Sequence, residues 1–120
     1  MAKKGFTTVN YLTQLYESVG NSTVTLVTAP NRSTFSNELV INGTDPATGD
    51  CVTFYVQAMS RSDGSTMTIP NTPSVTIDSD AALSTSTAKL IGTGNQLQID
   101  LTSPVSLNWN IVYKSIQYLY

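Results

Sequence analysis

Residues 88–120 read AKLIGTGNQLQIDLTSPVSLNWNIVYKSIQYLY, and the alternation inside this stretch sets the class of the whole chain. Leu97, Ile99 and Leu101 alternate with Gln96, Gln98 and Asp100, which is the period of a strand with one buried face. Leu90 and Ile91 lead into Gly92-Thr93-Gly94-Asn95, a turn-forming set, so a strand pair joined by a tight turn is predicted. Thr102-Ser103-Pro104 ends the second of these strands. Val105, Leu107, Trp109, Ile111 and Tyr113 then resume the alternation. This predicts a closing strand with five large side chains on one face and the sole tryptophan, Trp109, as the core anchor.

Upstream the same pattern recurs in shorter pieces. Val24 and Leu26 alternate with threonines until Ala29-Pro30-Asn31-Arg32, where turn residues break the strand. Phe35, Leu39 and Ile41 mark the next strand. A loop from Asn42 to Asp50 joins it to Cys51–Met59, where Val52, Phe54, Val56 and Ala58 share a face, so a hairpin is predicted. Asp63-Gly64 makes another turn. Met67 and Ile69 follow, and Pro70 and Pro73 confine that segment to a sheet edge. Val75 and Ile77 suit a short strand, and Asp78 to Thr87 is a polar connection.

At the other end, Val9, Leu12, Tyr16 and Val19 recur at helical spacing, with Tyr11 and Leu15 widening the stripe, and Gly20 stands where a helix would stop. The spacing predicts a short helix over about residues 8–19. An opening strand is the rival, because Thr7, Thr8, Val9 and Tyr11 suit one. Together these signals predict a mainly β chain: a flexible arm over residues 1–6, then one domain over 7–120. That domain is a single antiparallel β-sandwich, jelly-roll-like or a small barrel, of about seven or eight strands with a short N-terminal helix.

The chain has 120 residues and a mass of 12.9 kDa, enough for one core. Its mean hydropathy of −0.04 with 40% apolar residues argues against disorder, and it lacks an apolar run long enough for a membrane span. With polar residues interrupting the segment after Lys3 and Lys4, no signal-peptide core is recognisable, and synthesis in a cytoplasm is expected. The single cysteine, Cys51, excludes an internal disulfide and reads as a small buried or half-buried apolar residue. A net charge of −2 without a basic stripe argues against nucleic acid.

Histidine is wholly absent, which removes Ser/His/Asp catalysis and imidazole-held metals. Asp45, Asp50, Asp63, Asp78 and Asp80 fall in turns, where aspartate caps backbone amides. Asp78 with Asp80, or Asp45 with Asp50, offers oxygens to calcium but lacks the further ligands of an EF-hand loop. Gly92-Thr93-Gly94-Asn95 has neither the lysine nor the following helix of a phosphate loop. Triplets at Asn21, Asn31 and Asn42 match the glycosylation pattern, as chance allows in a chain rich in Ser and Thr. No enzyme, no cofactor and no metal site are expected.

Only 12% of residues are charged, against roughly 25% in ordinary soluble domains. Threonine, serine and amides take the place of charge, which suits a surface covered by partners. The aromatics Trp109, Tyr113, Tyr118, Tyr120 and Tyr55 either fill the core or, if solvent-facing, stack on sugars. The terminal Tyr118-Leu119-Tyr120 needs something to dock onto.

The Gly92-Thr93-Gly94-Asn95 turn, the following Gln96-Leu97-Gln98-Ile99-Asp100-Leu101, the break at Pro104 and the closing Ser106-Leu107-Asn108-Trp109-Asn110-Ile111-Val112 together resemble the small β-rich accessory virion proteins of tailed bacteriophages. The resemblance covers the last third of the chain. It implies a non-enzymatic virion subunit made in the host cytoplasm. Such a subunit would be a capsid decoration or cement protein in many copies on the major capsid lattice, or a head or tail accessory. Its partners would be other virion proteins and further copies of itself, with no nucleic acid and no membrane. Lys3, Lys4, Phe6, Tyr118 and Tyr120 are the candidate contacts. The alternative is a glycan-binding sandwich of a fibre or adhesin, using Tyr55, Tyr113, Asn108 and Asn110.

Overall fold

Four strands of 12 or 13 residues form the frame of the molecule in a computed structural model that describes residues 8–120. They are β1 (Thr8–Val19), β3 (Arg32–Thr44), β4 (Cys51–Asp63) and β9 (Asn108–Leu119). Shorter strands complete the chain: β2 (Ser22–Thr28), β5 (Met67–Thr68), β6 (Ser74–Ser79), β7 (Thr87–Thr93) and β8 (Gln96–Thr102). A single 3₁₀ turn, Ala81–Leu83, is the one helical element among the described residues.

All pairings are antiparallel. The large sheet runs β1-β9-β3-β4-β5, with β6 also paired to β4, and the small sheet runs β2-β8-β7. The closing strand β9 is therefore central. It takes β1 on one side and β3 on the other in unbroken register, from Thr8↔Leu119 to Val19↔Asn108 and from Ser33↔Leu119 to Thr44↔Asn108.

Alternation decides which face each side chain takes. In β3 every second residue from Ser33 to Gly43 is buried, and in β9 so are Trp109, Ile111, Tyr113 and Ser115. These meet Leu97, Ile99 and Leu101 of β8, Leu90 of β7 and Leu26 of β2 in one contiguous core. Two antiparallel sheets thus share one apolar layer. Trp109 is 1% exposed, its ring centroid lies 6.3 Å from that of Phe54, and its indole N–H donates to the Gly20 carbonyl at 3.1 Å.

The N-terminal segment is a strand and not the helix that its spacing predicts. Val9, Leu12, Tyr16 and Val19 do not form one stripe: Leu12 and Tyr16 face inward, and Val9 and Val19 lie on the opposite face. The cause is the edge of β9, which gives each of the 12 residues of β1 a register partner and takes up about half of its backbone groups. A lone amphipathic helix of that length gains little from propensity alone, and β-favouring Thr8, Val9, Tyr11 and Thr13 tip the choice to the ladder.

A second correction concerns Val105. It precedes β9 in an irregular segment and is 44% exposed, so four of the five predicted side chains line the core face. Cys51, read as buried or half-buried, is exposed at the first position of β4. There its outward parity places it with Thr53 and Tyr55 on the side away from the core.

Candidate interaction surface

The outer face of the large sheet holds six of the ten exposed large apolar side chains among the described residues. Tyr11, Leu15 and Val19 of β1 are 78%, 74% and 73% exposed, and Val40 of β3, Tyr55 and Met59 of β4 continue the same face. Between them runs a polar row, Thr13–Lys114–Glu38–Gln57–Ser74, in which each residue is the register neighbour of the next. Lys114 holds no ion pair among the described residues. A groove of about 720 Å³ crosses the sheet at this row, walled by Tyr11 on one side and Thr72 and Ser74 on the other.

Beneath this face Asn37, Ser60, Tyr113 and Ser115 are bound to one another. Asn37, buried in β3, accepts from the Tyr113 hydroxyl at 2.5 Å and from Ser115 Oγ at 3.2 Å, while its Nδ2 donates to Ser60 Oγ at 2.9 Å. Burial pushes the Tyr113 phenol up to about 12, with the Ser115 hydrogen bond acting in the opposite sense and Tyr16 adding to the rise. Burial also raises Tyr16, whose hydroxyl donates to the Leu26 carbonyl at 2.6 Å. A network with every member paired rigidifies the sheet.

Three of the five aspartates predicted to lie in turns, Asp45, Asp63 and Asp80, accept from backbone amides, whereas Asp78 lies in strand β6 and not in a turn. Asp45 accepts from Ala47 N–H at 2.9 Å, and Asp80 accepts from Cys51 N–H at 2.8 Å. Asp63 accepts from Ser65 and Thr66, both at 2.8 Å, and these N–H groups hold its carboxyl below the usual range. Among the described residues no group of three or more Cys, Asp or Glu side chains is placed to hold a metal ion.

The predicted contact residues are scattered. Lys3, Lys4 and Phe6 lie outside the described residues. Tyr118 is half-buried and lines a cavity of about 320 Å³ with Phe35, Met59, Arg61 and Pro70. Tyr120 docks back onto the start of β3: its N–H donates to the Arg32 carbonyl at 3.1 Å, and the Arg32 guanidinium carbon lies 5.0 Å from its ring centre. Of the four residues named for sugar stacking, Tyr55, Asn108 and Asn110 share the outer face, and Tyr113 lies in the core. Sequence reading missed Tyr11, Leu15 and Val19 as surface residues because it placed them on a helix; their odd-numbered spacing was the available signal.

No protein-family model and no curated protein matches the chain. Two solved structures are similar to it in part. One is the tailspike protein gp49 of the Acinetobacter baumannii bacteriophage Fri1, a capsular polysaccharide depolymerase, with 13% identity and a TM-score of 0.42 over 92% of this chain. The other is the tailspike protein of Acinetobacter baumannii phage AM24, with 9% identity and a TM-score of 0.39 over 93% of this chain. The chain spans 20% and 26% of the lengths of those two proteins.

Proposed function

We propose that the chain is a non-enzymatic structural module of a bacteriophage virion that joins neighbouring virion proteins through the outer face of its large sheet. The observation that supports this reading most is the exposure of Tyr11, Leu15, Val19, Tyr55 and Met59 on one sheet face of a chain in which only 12% of residues are charged. Exposed apolar rows, even with polar rows between them, favour association on a weakly charged surface. In its sharpest form the module is a decoration subunit bound in many copies to the major capsid protein. A fibre or head–tail station uses the same face.

Mass spectrometry of purified particles of the virus whose genome carries this coding sequence, with heads and tails separated, tests both levels. Recovery with heads at a copy number near that of the major capsid protein supports decoration. Recovery with tails replaces decoration by a fibre or tail station. Absence from the particles overturns the virion reading.

The groove at the Thr13–Lys114–Glu38–Gln57–Ser74 row supports a second reading, a glycan-binding module, because amide, cation and carboxylate groups stand beside the ring of Tyr11. Saturable binding on a glycan array that Glu38→Ala abolishes is its expected result, and an array without binding removes it.

A further inference from the structure

The described residues form four sheet edges, and three of these carry features that discourage pairing with another chain. β5 is two residues long and runs into Pro70, and its neighbour β6 follows Pro73 and carries Asp78. β2 has an irregular register between Thr25 and Val27. β7 presents Lys89 at its middle. The fourth edge, β1, has none of these: 12 residues, no proline, no bulge in its register with β9, and one charge, Glu17. Among the described residues β1 pairs with β9 alone, so about half of its N–H and C=O groups point away from the sheet.

We propose that β1 pairs antiparallel with β1 of a second copy across a two-fold axis at Leu15. The sequence of the strand fits this register. Its exposed apolar residues, Tyr11, Leu15 and Val19, are spaced evenly about Leu15, so the axis sets Leu15 against Leu15 and each Tyr11 against the other copy's Val19. The same register sets Glu17 opposite Thr13 and keeps the two Glu17 carboxylates apart. Glu17 of the second copy then extends the polar row in which Thr13 neighbours Lys114, a cation without an ion pair among the described residues of its own chain. The product is one continuous sheet through both copies, an isologous contact that uses each β1 edge once and closes.

This inference rests on the structural-module reading by supplying its joint. It is tested without particles, so a failure here and a failure there are separately visible.

Light scattering behind a sizing column across a dilution series of the full chain is expected to give twice the 12.9 kDa chain mass at high concentration. Leu15→Lys and Leu15→Glu, each placing like charges at the axis, are expected to give the single-chain mass while keeping a cooperative melt whose midpoint no longer depends on concentration, because Leu15 is 74% exposed within one chain. Mixing the two variants is expected to restore the doubled mass, with the mixed pair resolved by native mass spectrometry. A wild-type chain that stays at the single mass throughout overturns the proposal, as do a trimer or a dimer indifferent to both substitutions.

Discussion

Trp109 and Gly43 are cross-strand neighbours, and the indole occupies the space that a side chain at position 43 would take. A Cβ built on Gly43 would lie 2.6 Å from Trp109 Cζ3 and 2.9 Å from Leu107 Cδ1. The missing side chain of β3 is thus what lets the one large indole sit flat in the register of β9, and Leu107 and Phe54 close it in. Neither neighbour is the free end of a flexible chain, so the packing cannot give way cheaply.

Gly43→Ala is therefore expected to destabilise by about 1 to 3 kcal/mol through overpacking. Trp109→Ala, which leaves a cavity, is expected to cost about 3 to 5 kcal/mol. Both are read from urea unfolding monitored by far-ultraviolet circular dichroism. Because the whole margin of a domain is about 5 to 15 kcal/mol, unchanged midpoints would refute this placement of the core.

Asn37 holds three hydroxyls at once, those of Tyr113, Ser115 and Ser60. Asn37→Ala strands buried donors and acceptors and is expected to cost about 1 to 3 kcal/mol. Pairing it with Tyr113→Phe in a double-mutant cycle is expected to show a coupling of the same sign; strict additivity would mean that the network adds nothing beyond its separate bonds.

The raised Tyr113 phenol has a consequence for alkaline stability. Its folded pKa of about 12 lies above the unfolded value of 10.0, so the native state holds the proton more tightly. The stabilisation is fully present below pH 10 and is lost as pH rises from there through 12, a fall of up to about 3 kcal/mol. Unfolding free energies measured between those limits are expected to decline steeply in the wild type. In Tyr113→Phe the slope is expected to flatten.

Cys51 is exposed at the outward start of β4, with its N–H held by Asp80. One thiol per chain is expected to react with Ellman's reagent in the native state, at a rate that denaturant changes little. Reaction only after unfolding would place the thiol in the interior and contradict the described register.

Much of the fold is legible in single strands of sequence. The β7–β8 hairpin, the β3–β4 hairpin and the core face of β9 follow from alternation, because in each the residues that alternate are large and their turns carry glycine, proline or aspartate. The exposed apolar residues of the outer face were not legible in the same way. Tyr11, Leu15 and Val19 are apolar and exposed, and hydrophobicity alone assigns such residues inward. Asn37 carried no signal as a network hub, since its partners come from β4 and β9, 23 to 78 residues away.

By itself, the sequence determined that this is an antiparallel β protein without imidazole chemistry, with its turns at glycine and aspartate and with Trp109 on the apolar face of its closing strand. Only the tertiary structure decided that residues 8–19 are a strand, because helix and strand compete there on nearly equal local terms. The deciding term is the edge of β9, roughly a hundred residues further along the chain, whose backbone groups complete the ladder. The same long-range pairing turned Tyr11, Leu15 and Val19 outward onto an open edge, since the inner side of β1 is taken by Leu12 and Tyr16.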